Sequence, residues 1–410
     1  MRSYWLCAAA GIALATTARA APLTYASALA LAERSAPSLQ ARAADIESAR
    51  DTTVAAGRLP DPKLRAGLEN FPISGPPAWR FGPESMTMAS LGVMQDVPNA
   101  ARRAAARQRA AADIGAAEAS ERLEARIVRL GAALAWIDLH YARRRTAALE
   151  EVERAIASLR AVAPSQLAVG AQRPAQTLQA DDLAAALGDR RADLAAAVRK
   201  ARAELTRWTG DPDADVVGDP PAGGVDPARL RAGLDRVPGV AAYDEMARQA
   251  DADVAAARAD RRPDWTWELT YQHRDPRWGD MVSVGATISL PLFAATRQDP
   301  VIAARAQAVN RVRFERDAAR RALTSALEAD LADQAAHQDR LARARTTLEP
   351  LARRRADLEA ASYAAGTAGL ADLLAAQVSL AETRIDILDR EAAVARDAVR
   401  LTLTYGSDDR

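Results

Sequence analysis

The sequence offers few groups for metal or acid–base chemistry. His140, His273 and His337 lie far apart on different elements, with no histidine or glutamate at zinc-ligand spacing. Exposed or interfacial histidines are therefore expected, and no metal ligand is assigned. Asp211-x-Asp213-x-Asp215 opens like a calcium loop, but Val216 stands where glycine is needed and Ala222 where glutamate is needed. No glycine-rich phosphate loop, Gly-x-Ser-x-Gly elbow or paired-carboxylate motif is present, so neither an enzyme nor a cofactor protein is expected. Among Met86, Met88, Met94 and Met281, Met88 and Met94 share one strand face, which allows a thioether track for copper along a lumen. Packing in a wall or contact with lipid is the simpler reading. Trp79, Trp265, Trp267 and Trp278 read as interfacial anchors, not as a ligand cage.

The elements that carry these residues are of two kinds. Trp265, Trp267, Leu269 and Tyr271 alternate with Thr266, Glu268, Thr270 and Gln272. After a turn at Asp275-Pro276, Val282, Val284, Ala286, Ile288 and Leu290 alternate with Met281, Ser283, Gly285, Thr287 and Ser289. Period-two alternation with aromatics on the apolar side is the pattern of a membrane β-strand. Trp265, Trp267 and Tyr271 are expected at the lipid interface, with Glu268 and Gln272 facing a lumen. Residues 62–71 and 85–97 read as a second, weaker strand pair. Almost everything else has helical spacing and is dense in Ala, Arg, Glu and Leu.

In chain order, residues 1–20 read as a cleavable leader. Arg2 begins it, Leu6 to Ala15 is its apolar core, and Ala18-Arg19-Ala20 is the cleavage site. Cys7, the only cysteine, falls inside it. Formal net charge is +1, with both signs interspersed, which gives no reason to expect nucleic acid. A helix is expected over Pro22 to Gly57 and a long one over Ala100 to Val162, broken at Ala163 to Pro174. A return helix runs to Trp208. After a linker at 211–237 the order repeats: a helix to Arg262, strands at 263–274 and 280–291, a long helix from Pro300 to Tyr363, a glycine break, and a final helix to Tyr405. Gly170 and Gly366, Ala180 and Ala376, and Gly210 and Gly406 share one offset of 196 residues (366 − 170). Leu59-Pro60-Asp61 likewise mirrors Arg262-Pro263-Asp264, and Val97-Pro98 mirrors Leu290-Pro291. The chain is thus a duplication, residues 21–210 and 238–410. Each half carries two strands and a long helical hairpin that needs partners along a coiled-coil-like seam. Four strands cannot close a membrane barrel, so edges must be removed by symmetric association.

The segment Tyr363-Ala-Ala-Gly366-Thr-Ala-Gly-Leu370-Ala-Asp372-Leu-Leu374-Ala-Ala-Gln377, the strand exit Leu290-Pro291-Leu292-Phe293 followed by Arg297-Gln298, and the duplicated layout together resemble the TolC-type outer-membrane efflux protein family. The resemblance covers essentially the whole chain after the leader. It implies a mainly α protein with a membrane β-barrel portion: a homotrimer whose twelve-stranded barrel is continued by an α-helical periplasmic barrel. It also implies an exit duct for a tripartite pump, partnered by a periplasmic adaptor and an inner-membrane resistance-nodulation-division transporter. The strand exits resemble most the members serving heavy-metal pumps. The aperture of such a duct maps onto Gly366 and Asp372 in the second repeat and Gly170 and Gln176 in the first. Ala375, Ala368 and Gln176 depart from the charged residues of the family's best-studied type, so at most one acidic ring, at Asp372, carries over. The plainer role for Asp372 is stabilising the first turn of its helix. A periplasmic adaptor or a structural coiled-coil protein of the envelope are the alternative functions.

Overall fold

A computed structural model describes residues 22–168, 174–221 and 224–406. The expected leader and Gly170 lie outside the described residues; Gln176 falls within a helix, but its side chain lies outside them. The elements are α1 (Tyr25–Ser35), α2 (Pro37–Ala55), β1 (Lys63–Glu69), β2 (Met88–Val97), α3 (Ala100–Ala168), α4 (Pro174–Thr209), α5 (Pro227–Gly233), α6 (Pro238–Ala259), β3 (Trp265–His273), β4 (Met281–Ile288), α7 (Ala294–Arg343), α8 (Glu349–Ala364) and α9 (Leu370–Tyr405). No helix among the described residues is long and apolar enough to cross a membrane.

Four boundaries differ from expectation, each through proline. The first helix is two helices, because Ala36 precedes Pro37 and is held extended (φ −63°, ψ 116°). Pro164 does not end α3, which runs on to Ala168. Helix α7 starts at Ala294 and runs through Pro300, not from it. The long second helix is also interrupted. A π turn at Ala344–Leu348 separates α7 from α8, because Pro350 has no N–H for the Thr346 carbonyl and its ring crowds that carbonyl.

The described chain forms two compact units, each drawn from both repeats. One is built from residues up to Ala36, Val128–Val225 and Asp330–Leu403. Its core is Trp136, Ile137, Leu139, Leu205, Ala392 and Val399, with the Tyr25 ring edge-on to Trp136 at 5.7 Å. Buried Ala132, Ala133 and Ala135 let helices approach closely. Gly131 serves the same end: a Cβ there would lie 2.3 Å from the Trp208 ring. The entering chain is pinned to the linker, with Leu23 N donating to the Asp215 carbonyl (2.7 Å) and Val217 N to the Leu23 carbonyl (3.0 Å). Trp136 Nε1 donates to the same Leu23 carbonyl at 2.9 Å.

The second unit comprises Pro37–Ile127, Asp226–Ala329 and the chain from Thr404. It holds one antiparallel sheet in the order β1-β2-β3-β4. Short α5 is capped by the Asp226 carboxylate, which accepts from Ala228 N and Arg229 N. Ion pairs bind α5, α6 and their connection to α7: Arg231 to Glu328 (2.7 Å), Arg320 to Asp235 (3.0 Å) and Arg316 to Asp244 (3.2 Å).

Candidate functional site

The sheet has two chemically opposite faces. The ladder places Leu64, Ala66 and Leu68 of β1 beside Val93, Leu91 and Ala89 of β2. Those continue into Leu269, Tyr271 and His273 of β3, and then Val284 and Val282 of β4. Trp265 and Trp267 complete this face beside Ile288 and Ala286, their rings stacked at 5.9 Å. The face is open: Trp267 is 49% exposed, Tyr271 45% and Val284 73%. The opposite face carries Arg65, Ser90, Gly92, Glu268, Thr270, Gln272, Ser283 and Thr287, and Ser90 and Thr270 on it are buried. Arg65 reaches Glu268 at 3.5 Å and Ser283 donates to Gln272 at 3.0 Å. Exposed apolar groups on one side and a hydrogen-bonded polar side are what a strand wall between lipid and water requires. Trp265, Trp267 and Tyr271 stand together on the apolar face. Met88, Met94 and Met281 stand on the polar one, which departs from the lipid-contact reading of these methionines: each pairs beside Glu69, Lys63 or Gln272, out of phase with the apolar positions.

At one end of the sheet two loops interlock. Arg277 pairs with Asp275 at 2.9 Å and donates to the Gly82 carbonyl at 2.8 Å, while Arg274 donates to the Gly279 carbonyl at 2.7 Å. The Arg277 guanidinium holds the Asp275 carboxyl below the usual carboxylate range. Gly82 leaves no room for a side chain, since a Cβ would sit 2.3 Å from Asp275 Oδ2. Exposed Trp79 and Trp278 lie in these loops.

At the other end, a junction that sequence reading registered only as a repeat mark turns out to be structural. Asp264, the residue before β3, accepts from the Asn99 backbone N–H (2.7 Å) and from Asn99 Nδ2 (2.8 Å), and it pairs with Arg102 at 2.6 Å. Asn99 in turn caps α3 by accepting from Arg102 N at 2.9 Å. The mirrored Pro-Asp pairs were the available signal. A cleft of about 390 Å³ opens beside this junction, lined in part by Arg262, Ser289, Leu290, Arg297 and Gln298.

The glycine break between α8 and α9 lies in the other unit. Gly366 has φ +76°, and the reversal is a Schellman turn: Gly366 N donates to the Tyr363 carbonyl (3.0 Å) and Thr367 N to the Ser362 carbonyl (2.9 Å). Asp372, exposed in the first turn of α9, accepts from Gly369 N at 3.1 Å, so the helix-stabilising role is present. Leu370 and Leu374 are buried against Ile156, with Val152, Leu183 and Tyr363 around them. The turn is therefore a polar tip on a packed apolar base.

The histidines do not converge. His140 stacks on Trp136 at 5.2 Å, where burial lowers its pKa below the ordinary imidazole value. His337 pairs with Asp397 at 2.6 Å and His273 with Asp280 at 3.0 Å. Among the described residues no three His, Cys, Asp or Glu side chains form a metal-sized cluster.

The two-faced sheet and the long helices make up a fold known from solved structures. The described chain shares it with VceC of Vibrio cholerae at 17% identity (TM-score 0.75, covering 93% of this chain and 96% of that one). It shares it equally with CusC, a protein studied for transmembrane channel formation, at 16% identity (TM-score 0.77, covering 93% and 92%). The open state of the MtrE outer membrane channel of Neisseria gonorrhoeae is similar at 16% identity (TM-score 0.74, covering 93% and 89%). No curated protein sequence matches the chain. Residues 233–407 match the family of outer membrane efflux proteins, so the second repeat carries that family's sequence and the described chain its TolC-type fold. The family so matched is one of outer membrane proteins. The family is one of ducts and not of enzymes.

Proposed function

We propose that this chain is the outer-membrane exit duct of a tripartite efflux pump, conducting cargo passively from a periplasmic adaptor and an inner-membrane resistance-nodulation-division transporter to the outside. The observation that carries the reading is the sheet: four strands with one exposed apolar face, one polar face and two unpaired edges, β1 and β4. Edges cannot stay open in lipid. Three copies would supply twelve strands, with residues 21–210 and 238–410 acting as equivalent halves joined by 211–237 after removal of 1–20. Heavy-metal cations are the cargo class we assign, on the strand-exit resemblance.

The aperture in this reading is formed by the turns around Gly366 and Asp372, with Gly170 and Gln176 in the first repeat. Asp372 has no cationic partner among the described residues. Three copies around an axis form an acidic ring that attracts cations and repels itself. Asp372→Asn is the discriminating variant, because asparagine can still cap Gly369 while the charge is gone. In planar bilayers the parent channel is expected to prefer cations and to be blocked by trivalent cations, and the variant is expected to lose both. Unchanged selectivity would leave Asp372 as a cap only. The duct reading itself is tested by extracting the oligomer: a monodisperse folded monomer in detergent, or no conductance from a trimer, would refute it.

A further inference from the structure

The sheet contains one strand junction between repeats inside the chain, β2 with β3, and leaves the other, β4 with β1, open. At the base of the internal junction Asp264 ties the entry to β3 to the exit from β2, through Asn99 and Arg102. Strands β1 and β4 are antiparallel in the sheet, so β4 of one copy and β1 of the next can continue the same ladder. The register then says which residues stand at the base of that open junction. Thr266 pairs with Thr287, four residues before Pro291, and Lys63 pairs with Met94, four residues before Pro98. Lys63 thus occupies the place of Thr266, and Asp61, two residues earlier, the place of Asp264. On the other side, Arg297 is the first basic residue of α7 as Arg102 is of α3, one position further into its helix. Asp61 and Arg297 are both exposed, and neither makes an ion pair among the described residues.

We infer that each subunit junction of the duct is closed by an ion pair between Arg297 and Asp61 of the partner subunit, repeating the Arg102–Asp264 lock that joins the two halves of one chain. The inference rests on the shared-barrel reading above. Leu292 stands where Asn99 does in the first repeat, so the partner's carboxylate makes the ion pair without the capping bonds. An exposed pair of this kind adds little stability. Its consequence is register: a one-residue slip of β1 along β4 would turn the apolar face of every strand in the next copy toward water. A fixed charge pair at the base of the strands selects the register that keeps both faces continuous.

The test is a cysteine pair, Asp61→Cys with Arg297→Cys in a Cys7→Ser background, treated in membranes with a short bis-maleimide. Covalent dimers and trimers are expected from the double variant and none from either single variant. In a second arm, Asp61→Arg sets like charges together at each junction and should lower the temperature at which the detergent-resistant oligomer band is lost, and Asp61→Arg with Arg297→Asp should restore it. A trimer by light scattering that does not cross-link, and that tolerates Asp61→Arg, overturns the lock while leaving the shared barrel standing. A folded monomer removes both. An anionic phospholipid held by Arg297 would also overturn it: native mass spectrometry would then show bound lipid that Arg297→Ala loses, with no cross-link formed.

Discussion

Replacing Val284 by arginine places a guanidinium near the middle of β4 (Met281–Ile288), on the face shared with Leu269 and Tyr271. The native valine is 73% exposed in the single chain, so no packing void follows from removing it, and the effect isolates what that surface meets. If the surface meets lipid, an arginine near the bilayer midplane costs about 2–4 kcal/mol per copy. In the proposed trimer three copies share each barrel, so the assembled cost is about 6–12 kcal/mol, and the equilibrium per copy shifts roughly 30- to 700-fold at 1.4 kcal/mol per tenfold. The control is its strand neighbour: Ser283→Arg faces the polar side and gives up one hydrogen bond to Gln272 (3.0 Å), worth about 0.5–1.5 kcal/mol. Urea titration of liposome-embedded protein, following the heat-modifiable oligomer band, reads both. Val284→Arg is expected to lower the midpoint well below that of Ser283→Arg. Equal midpoints, or the reverse order, would show that the apolar face does not line the membrane.

Three further outcomes follow from the packing. Leu374→Ala empties a buried position under the Gly366 turn and should cost about 2–5 kcal/mol in thermal or denaturant unfolding, with faster proteolysis between Tyr363 and Leu370. Gly131→Ala, which in an exposed helix would gain roughly 1 kcal/mol, should instead destabilise by about 1–3 kcal/mol, because its Cβ would sit 2.3 Å from the Trp208 ring; Gly131→Ala with Trp208→Ala should recover the helix gain but lose the ring's burial. Burial pushes the Tyr25 hydroxyl up to about 12, so its contribution to stability is complete below pH 10 and disappears as pH rises toward 12, the unfolded chain ionising first; phenolate absorbance should show a step near pH 12 that Tyr25→Phe removes.

The strands were legible because a two-residue period survives any tertiary context that covers only one face. Trp265, Trp267, Leu269 and Tyr271 fell on one face as read, and Gly366 reversed the chain where its lack of a Cβ permits positive φ. Proline misled in both directions. Pro300 and Pro164 are carried inside helices long enough to absorb one missing donor, whereas Pro37 and Pro350 break or widen theirs. No composition rule separates these cases, since the outcome depends on what packs against the carbonyl left free. The Asp264 lock left only the mirrored Pro-Asp pairs as a sign in the sequence, for another reason. Its partners, Asn99 and Arg102, are about 160 residues away in sequence, and only the β2–β3 pairing brings them together. His140 is the same kind of case: nothing local says that a histidine will stack on Trp136 with Nε2 buried and, among the described residues, without a hydrogen-bond partner.

The helices explain why a duct needs so few special residues. Glu391 is shared by Arg144 and Arg345 at 2.8 and 2.6 Å, Arg396 pairs with Asp138 at 2.6 Å, and Arg145 reaches Asp389. Each such pair is worth little in stability when it is exposed. Pairs of this kind set 55 basic against 54 acidic residues, so in the proposed duct the helical wall projects little net field. A wall of this kind neither attracts nor repels a charged cargo over its length, which suits passive conduction of whatever an upstream pump delivers. In the proposed duct selectivity falls to an exposed charge without a counter-charge at the aperture, the role proposed for Asp372. Among the described residues it is bonded only to a backbone N–H, it is exposed, and it is the sole acid in the sequence between Glu359 and Glu382. In the proposed trimer Arg297 and Asp61, two exposed charges without an ion pair among the described residues, stand beside the open edges β4 and β1.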